Sequence, residues 1–389
     1  MEDFTDIRPF NDTEVPGVLQ RLLDDPDFLA AICKLKFKRM SSWLGWSLRA
    51  LVRMVLRREL AGVKDVQGLQ RIIESYMTRM IEDTTAGFTV SGLEYLEPSK
   101  AYLFMSNHRD IVLDPAFTSY ALFNNGFDTA RIAIGDNLLT TPYVSDLMRL
   151  NKSFIVKRSA RGPREILKAY RNLSAYIRHS LQVESASIWI AQREGRAKDG
   201  CDRTEPAIIK MLAMSQDKQK ESFADYIRAL NIVPVSISYE LDPCDSLKAS
   251  ELHMLAEQGS YEKAEDEDVA SIATGIAGDK GQVHVAFGQP LLGSYDSPDA
   301  VAAELDRQIT SNYALHSTNL YAYHALHGDD AVLPAAVNPI SGACTKAEFE
   351  LRMQALPAGV RKYALAIYAN AVTSKLRYEP AGDVATVAD

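Results

Sequence analysis

The sequence predicts an α/β fold with a mostly parallel central sheet flanked by helices, an N-terminal helical region and a C-terminal helical extension. Two observations indicate this class. Short apolar runs alternate with helical stretches between residues 88 and 295, and the segments on either side show helical patterns without strand alternation. A chain of 389 residues, 47% of them hydrophobic, is long enough for such a domain with helical additions. We therefore expect helices over 1–87, the α/β domain over 88–295 and further helices over 296–389.

Seven apolar runs are the expected strands. They cover residues 88–92, 101–105, 130–135, 153–158, 187–191, 232–239 and 282–288. Strands that alternate with helices are joined by crossovers, so most of them run parallel and their carboxyl ends share one edge of the sheet. Polar residues at that edge are the first candidates for a functional site.

Composition excludes several classes of protein. The net charge of -8 argues against a general nucleic-acid binder, which needs excess positive charge to neutralise phosphates. The four cysteines, Cys33, Cys201, Cys244 and Cys344, are scattered without a CxxC pair, which indicates reduced thiols and no zinc site.

The acidic N-terminus does not resemble a signal peptide, and no apolar stretch reaches the roughly 20 residues of a membrane span. We expect a cytoplasmic protein, soluble or peripheral to a membrane.

Residues 33–60 concentrate positive charge in a chain that is acidic overall. They hold eight Lys or Arg residues against one acid, Glu59. On a helical wheel the apolar side is made by Leu44, Leu48, Leu51, Val52 and Val55, the opposite side by Arg49, Arg53 and Arg57, and Trp43 and Trp46 stand near the start. This pattern over 41–60 is typical of a helix in the membrane interface. A helix that packs its apolar side on the protein core gives the same pattern, so both interpretations stay open.

His108 follows the second expected strand, in a polar segment that runs from Asn107 to Pro115. An imidazole titrates near neutral pH, and a carboxylate bonded to it fixes its tautomer and stabilises its protonated form. Asp110 and Asp114 are both near in sequence. The pattern predicts a general base at His108 with one of these carboxylates as its partner, although a histidine beside a strand end also occurs as a purely structural residue.

Basic side chains follow two other strands at the same predicted edge. Lys157 and Arg158 end the fourth run, Arg196 comes shortly after the fifth, and Arg203 lies a few residues beyond. Guanidinium groups bind phosphate through paired hydrogen bonds. Three arginines and a lysine beside a candidate base therefore predict a phosphate-binding site, whereas any one of them alone is more often part of a surface ion pair.

Four blocks in this order resemble the glycerolipid acyltransferase superfamily, which includes glycerol-3-phosphate and lysophosphatidic acid acyltransferases. His108 to Asp114 is similar to the first block, His-x4-Asp, with one residue more between the two. Residues 154–158 are similar to an apolar strand ending in a basic pair, residues 188–196 to a strand running into a Glu-Gly-Thr-Arg turn, and residues 232–238 to an apolar strand with a central proline. The turn lacks the proline that usually precedes its glutamate. The resemblance covers roughly residues 90–295.

The frame of the first block favours Asp114 over Asp110 as the partner of His108. Its Asn-His and Asp-Pro pairs resemble the plastid-type glycerol-3-phosphate acyltransferases, as do residues 202–206. The additional residue displaces Asp114 by one position, so a small bulge is needed for its carboxylate to reach the imidazole.

The resemblance implies an enzyme of phospholipid biosynthesis with a glycerol-3-phosphate acyltransferase-like fold. It moves an acyl group from acyl-CoA or acyl-carrier protein to the hydroxyl of glycerol 3-phosphate or of a lysophospholipid such as lysophosphatidic acid. No metal or other cofactor is implied, and the expected place is the cytoplasmic face of the membrane. His108 and Asp114 are then the catalytic pair, and the substrate-binding residues are Lys157, Arg158, Glu194, Gly195, Arg196 and Arg203.

Acyl transfer to an alcohol needs a base, donors for the oxyanion and a site for the headgroup. The turn at Glu194 and Gly195 is the candidate for backbone donors, because glycine lets the backbone approach a ligand closely. The sequence has no Gly-x-Ser-x-Gly elbow. We therefore expect direct attack in a ternary complex rather than an acyl-enzyme.

Three other functions stay open at this point. The same histidine can serve an N-acyltransferase that makes an amino-acid-containing lipid. A non-catalytic lipid-binding protein is the second alternative, and it predicts that His108 is buried and fully hydrogen-bonded. A thioesterase or other hydrolase is the third, and it differs from a transferase because it consumes the thioester without an acceptor.

Overall fold

The structure, a computed structural model, describes residues 4–36, 45–139, 141–264, 267–328, 339–340 and 342–378. Its internal contacts divide the chain into two compact units. The smaller comprises Met1–Met77 with Ala130–Ile177, and the larger Thr78–Thr129 with Arg178–Asp389. The expected regions 1–87, 88–295 and 296–389 are continuous stretches of sequence. The two units are instead defined by internal contacts, and each combines separate stretches of the chain.

All seven expected strands form, each within two residues of its expected ends. They are β1 (Gly87–Ser91), β2 (Leu103–Ser106), β3 (Arg131–Gly135), β4 (Ser153–Val156), β5 (Ile188–Ala191), β6 (Ile232–Tyr239) and β7 (Gln282–Phe287). Apolar runs of this length, bounded by turn residues, favour strands buried on both faces. β6 is such a strand, because all eight of its residues are buried.

Helices make up most of the remaining described chain. They are α1 (Val15–Asp24), α2 (Pro26–Lys36), α3 (Gly45–Leu60), α4 (Val66–Thr84), α5 (Leu113–Asn124), α6 (Pro142–Leu150), α7 (Pro163–Gln182), α8 (Pro206–Leu212), α9 (Phe223–Ala229), α10 (Asp245–Gln258), α11 (Glu267–Ala277), α12 (Pro298–Asn312), α13 (Ser317–His327), α14 (Lys346–Gln354) and α15 (Ala358–Leu376). The helical regions expected at both ends of the chain are confirmed. Within the described ranges, each helix is too short or too polar to cross a bilayer.

The larger unit holds five strands in the order β1-β7-β6-β2-β5. β1 pairs with β7, and β2 with both β5 and β6, in parallel, while β6 and β7 are antiparallel. The smaller unit contains the parallel pair β3 and β4. The mostly parallel sheet predicted from the sequence is therefore confirmed. The antiparallel pairing of β7 with β6 is the exception.

In the smaller unit, the N-terminal helices pack with residues from α6. The shared cluster consists of Val15, Val18, Leu19, Leu22, Val63, Leu69 and Leu150, with Tyr143 at its margin. Because this apolar cluster joins residues before position 77 to residues after 130, the unit is discontinuous in sequence.

The apolar side of α3 is split between core and solvent. A cluster with α2 contains Leu29, Cys33, Leu48 and Val52. Leu51, Met54 and Val55, however, are 45%, 62% and 49% exposed. Trp43, Leu44 and the side chain of Trp46 lie outside the described residues. Core packing thus accounts for one side of this helix and leaves three large apolar side chains on another side exposed.

β2 occupies the position in the larger unit from which a site can be built. It lies between β5 and β6, with Ser106 in register with Ala191 of β5 and Val235 of β6. Because these strands are parallel, the segments that follow β2 and β5 and the last residues of β6 come together at one edge. Three of the four sequence blocks therefore meet there.

Candidate active site

His108 and Asp114 form a hydrogen-bonded pair at the carboxyl end of β2. His108 lies two residues after the strand, and Asp114 is in the first turn of α5. Nδ1 of His108 lies 2.8 Å from Oδ2 of Asp114. Asp114 is fully buried, whereas the His108 side chain is 14% exposed and its ring packs edge-on against Trp189. Among the described residues, none hydrogen-bonds Nε2 on the other side of the His108 ring.

The other hydrogen bonds of Asp114 decide the tautomer of His108. Oδ2 also accepts from the backbone N–H groups of Arg109, at 2.6 Å, and Asp110, at 2.9 Å. Oδ1 accepts from the hydroxyl of Tyr239 at 2.7 Å. A carboxylate surrounded by donors acts as an acceptor, so Nδ1 of His108 carries the hydrogen. Nε2 then presents its lone pair, which is what a general base requires.

Asp110, the alternative partner, has a different task. Its Oδ1 accepts from the backbone N–H groups of Val112, at 3.0 Å, and Leu113, at 2.9 Å, and so fixes the turn that precedes α5. Burial raises the pKa of Asp110, with the Asp114 carboxylate as a further cause. Gly275 of α11 lies so close that a Cβ there would overlap Oδ2 of Asp110. The turn over residues 109–112 absorbs the additional residue of the first block and brings Asp114 to the imidazole.

The turn after β5 is fastened to the segment that carries His108. The backbone N–H of Gln192 donates to Ser106 O and that of Ala197 to His108 O, both at 2.8 Å. Gly195, between them, has a φ of +74° and is exposed together with Glu194. A left-handed conformation favours glycine, so this position is explained by backbone geometry.

Arg196 lies in this turn, directly before Ala197, whose backbone N–H donates to His108 O. It is half-buried, and its Nη2 lies 3.5 Å from Oγ of Ser271 on α11. Its Nη1 is buried and has no hydrogen-bond partner within the described ranges. Arg203 is exposed beyond the same turn. Of the predicted residues in the larger unit, Arg196 alone thus combines partial burial with an unused donor.

Lys157 and Arg158 belong to the smaller unit. Lys157 forms an ion pair with Asp6, and both side chains are nearly half exposed. The backbone N–H of Arg158 donates to Oδ1 of Asp136 at 3.0 Å. The side chain of Arg158 packs beside Gly135. That these two residues converge with His108 remains a prediction.

An ion pair that was not predicted from the sequence joins two loops of the site. Arg109 Nη2 lies 2.7 Å from Oδ2 of Asp202, and the same nitrogen donates to Gly200 O at 3.1 Å. Asn107 Nδ2 also donates to Asp202, at 3.1 Å, and the Arg109 guanidinium lies over the ring of Tyr313. The Arg109 and Asp202 side chains are 6% and 8% exposed. The two residues are 93 positions apart in the sequence, so no local pattern indicates that they form a pair.

Tyr239 was missed as well. It comes directly after the fourth sequence block, and a tyrosine at the end of an apolar strand is ordinary core composition. Tyr239 ends β6, which lies next to β2 in the sheet. This adjacency brings its hydroxyl to Asp114. Within the described ranges, no group of three or more His, Cys, Asp or Glu side chains is arranged to hold a metal ion.

Two comparisons with known proteins found a similarity. A family model described as "Acyltransferase" matches residues 87–238, a range that contains His108, Asp114 and the turn after β5. Among solved structures, the chain is similar to the crystal structure of the 1-acyl-sn-glycerophosphate (LPA) acyltransferase, PlsC, from Thermotoga maritima. The sequence identity is 13%, the TM-score is 0.38, and the match covers 77% of this chain and 94% of that one. No curated protein matches the sequence significantly.

Two glycines near the site are expected to differ in their tolerance of alanine. Gly195 and Gly200 both have positive φ, +74° and +78°, but a Cβ at Gly200 would overlap the carbonyl oxygen of Ile367, whereas nothing lies near Gly195. Gly195→Ala should lower the free energy of unfolding by about 1 kcal/mol, the cost of the left-handed conformation alone. Gly200→Ala should lower it by about 3 kcal/mol or more, because overpacking is added. Urea unfolding measures both, and equal losses would contradict this account of Gly200.

Proposed function

We propose that this chain, in which residues 87–238 match a family model described as "Acyltransferase", moves a fatty acyl group from acyl-CoA or acyl-carrier protein to the hydroxyl of glycerol 3-phosphate or lysophosphatidic acid. The observation that carries this proposal is the pair His108 and Asp114, whose 2.8 Å hydrogen bond leaves Nε2 of a partly exposed imidazole as an acceptor. A hydroxyl is the acceptor group that such a base activates.

In the proposed reaction, His108 Nε2 takes the hydroxyl proton while the alcohol oxygen attacks the thioester carbonyl carbon. The C–O bond forms, the C–S bond breaks, and the proton passes from Nε2 to the leaving sulfur. An ester and a free thiol are the products, and the proposal needs no metal or other cofactor. Asp114 holds Nδ1 and stabilises the imidazolium while it exists. Backbone N–H groups near Glu194 and Gly195 are proposed to bind the oxyanion.

The state of the Cys201 thiol favours direct attack in a ternary complex over an acyl-enzyme. Cys201 follows Gly200 in the loop that Arg109 binds. Burial raises the pKa of the Cys201 thiol, and the Asp199 carboxylate acts in the same direction. A protonated thiol is a poor nucleophile, so an acyl-enzyme on Cys201 is disfavoured.

Arg196 is proposed to bind the acceptor's phosphate. A buried N–H without an acceptor costs about 1–3 kcal/mol, and Nη1 of Arg196 is such a group. A phosphate oxygen would satisfy it in a charge-assisted hydrogen bond. Arg203, Arg158 and Lys157 are proposed as further contacts of the anionic headgroup, and Glu194 as the residue that orders the turn.

We also propose that α3 holds the protein on the cytoplasmic face of a membrane. Leu51, Met54 and Val55 are large apolar side chains left exposed on a helix whose last turn contains Arg57 and Arg58. Exposed apolar groups beside basic residues suit the boundary between acyl chains and anionic headgroups.

The proposed base is tested by His108→Ala. The turnover number should fall about a thousandfold, because general base catalysis contributes roughly 10²–10⁴. His179→Ala is the control, since it removes a part-exposed imidazole 3.9 Å from Glu184 and should leave the rate unchanged. The measurement is loss of labelled acyl thioester and formation of acylated product with glycerol 3-phosphate, lysophosphatidic acid or an amino-acid lipid.

The same panel separates the alternatives. Near-normal rates for His108→Ala would show that His108 is not the base. A product acylated on the nitrogen of the amino-acid lipid would identify an N-acyltransferase, and thioester loss without any acceptor would identify a hydrolase.

The phosphate contact is tested by Arg196→Met. The KM for a phosphorylated acceptor should rise about 10–100-fold, the value of a hydrogen bond to a charged group, while kcat changes little. Arg307→Met is the control, because Arg307 forms an exposed ion pair with Glu304. A KM equal to that of the unmodified protein would remove Arg196 from the headgroup site.

Membrane binding is tested by the double variant Leu51→Ser, Met54→Ser. Loss of two exposed apolar side chains should weaken binding to vesicles of anionic phospholipid about tenfold or more. Leu351→Ser is the control, since Leu351 of α14 is 66% exposed. Cosedimentation with vesicles measures the effect, and undiminished binding of the double variant would refute the role of α3.

A further inference from the structure

Tyr239 is the last residue of β6, and its hydroxyl contacts the carboxylate that holds His108. The residue is 6% exposed. Its hydroxyl donates to Oδ1 of Asp114 at 2.7 Å, and its ring packs edge-on against Phe117 of α5 with 5.9 Å between centroids. The contact between strand and helix thus places one phenol O–H on the far side of the Asp114 carboxylate.

The two oxygens of Asp114 have different partners. Oδ2 accepts from Nδ1 of His108 and from the backbone N–H groups of Arg109 and Asp110. Oδ1 accepts from Tyr239. Because the two oxygens share one negative charge, a donor on Oδ1 draws charge away from Oδ2. The same hydrogen bond also opposes rotation of the carboxylate out of the plane in which Oδ2 faces the imidazole.

We propose that Tyr239 is a positioning residue of this pair, which fixes the Asp114 carboxylate and limits the negative charge that His108 experiences. This inference rests on the proposed role of His108 as the base. Tyr239 touches neither substrate nor reacting atoms, so its effect on the reaction passes through Asp114. The hydroxyl shares the negative charge of Asp114, so its loss would leave more of that charge on Oδ2 beside His108 Nδ1.

Other charged groups surround the pair, and a test has to leave them in place. They are Asp110 on the turn before α5, the ion pair of Arg109 and Asp202, Asp242 after β6, Lys248 of α10 and Arg196 after β5. Burial and the Asp114 carboxylate raise the pKa of Tyr239 well above its ordinary value, so its hydroxyl stays a donor at neutral pH. Tyr239→Phe removes only this hydroxyl and retains the ring and all of these charges.

The test is the titration of the His108 ring, followed by NMR of the full-length protein with isotope-labelled histidine. The His108 signal is assigned by its absence in His108→Gln. In Tyr239→Phe the titration midpoint should move to higher pH by about half a unit to one unit, a three- to tenfold change in proton affinity. Tyr368→Phe is the matched control, because Tyr368 also donates to a buried carboxylate, Asp245, at 2.7 Å. It should leave the His108 midpoint unchanged.

Kinetics give a second readout that a purely structural role would not move. The acid limb of the kcat/KM profile should shift to higher pH with the midpoint, while the KM for the acceptor changes little. In an Asp114→Asn background, Tyr239→Phe should have no further effect on the midpoint, since the carboxylate on which it acts is gone. An unmoved midpoint in Tyr239→Phe, or an equal shift in the Asp114→Asn background, would overturn the proposal.

Two further arms keep the outcome unambiguous. Placing 4-aminophenylalanine at position 239 restores a donor of similar reach and should return the midpoint towards its original value. The NMR titration requires no acyl transfer. If the protein acylates none of the tested acceptors while the midpoint moves as expected, the proposed function fails and the role of Tyr239 stands.

Discussion

The hydrogen bonds of one buried carboxylate, that of Asp114, hold together the part of the larger unit on which everything else depends. They come from the turn after β2, from the His108 ring and from the end of β6. A carboxylate without such donors would be costly to bury. The interactions that stabilise the packing of α5 at this edge therefore also set the orientation and tautomer of the imidazole, so fold and chemistry share one constraint.

A second set of contacts keeps the neighbouring loops in register. Asn107 bridges Asp202 and the backbone of Ile237, and Arg109 binds Asp202 from the next position along the chain. Backbone hydrogen bonds from Gln192 and Ala197 join the turn after β5 to the same segment. A base held through Nδ1 and through its backbone in this way requires little reorganisation when an acceptor arrives, which is the main advantage of a preorganised site.

The sequence predicted what depends on local pattern. Apolar runs marked the strands, and the residues around His108 and Asp114 pointed to the pair that the structure brings together. Tyr239 and the contact of Arg109 with Asp202 depend on strand order and loop packing, which no local pattern contains. The apolar side of α3 was readable as a stripe, but its division between core and solvent is set by α2, whose position the sequence does not give.

The close packing of Gly275 against Asp110 extends the constraint on the imidazole to a helix far along the chain. A side chain at position 275 would displace the Asp110 carboxylate, whose other oxygen accepts from the backbone N–H groups of Val112 and Leu113 at the start of α5. The side chains at positions 110 and 275 therefore constrain each other. Among homologues, we expect a larger residue at one of them only where the other has changed in compensation.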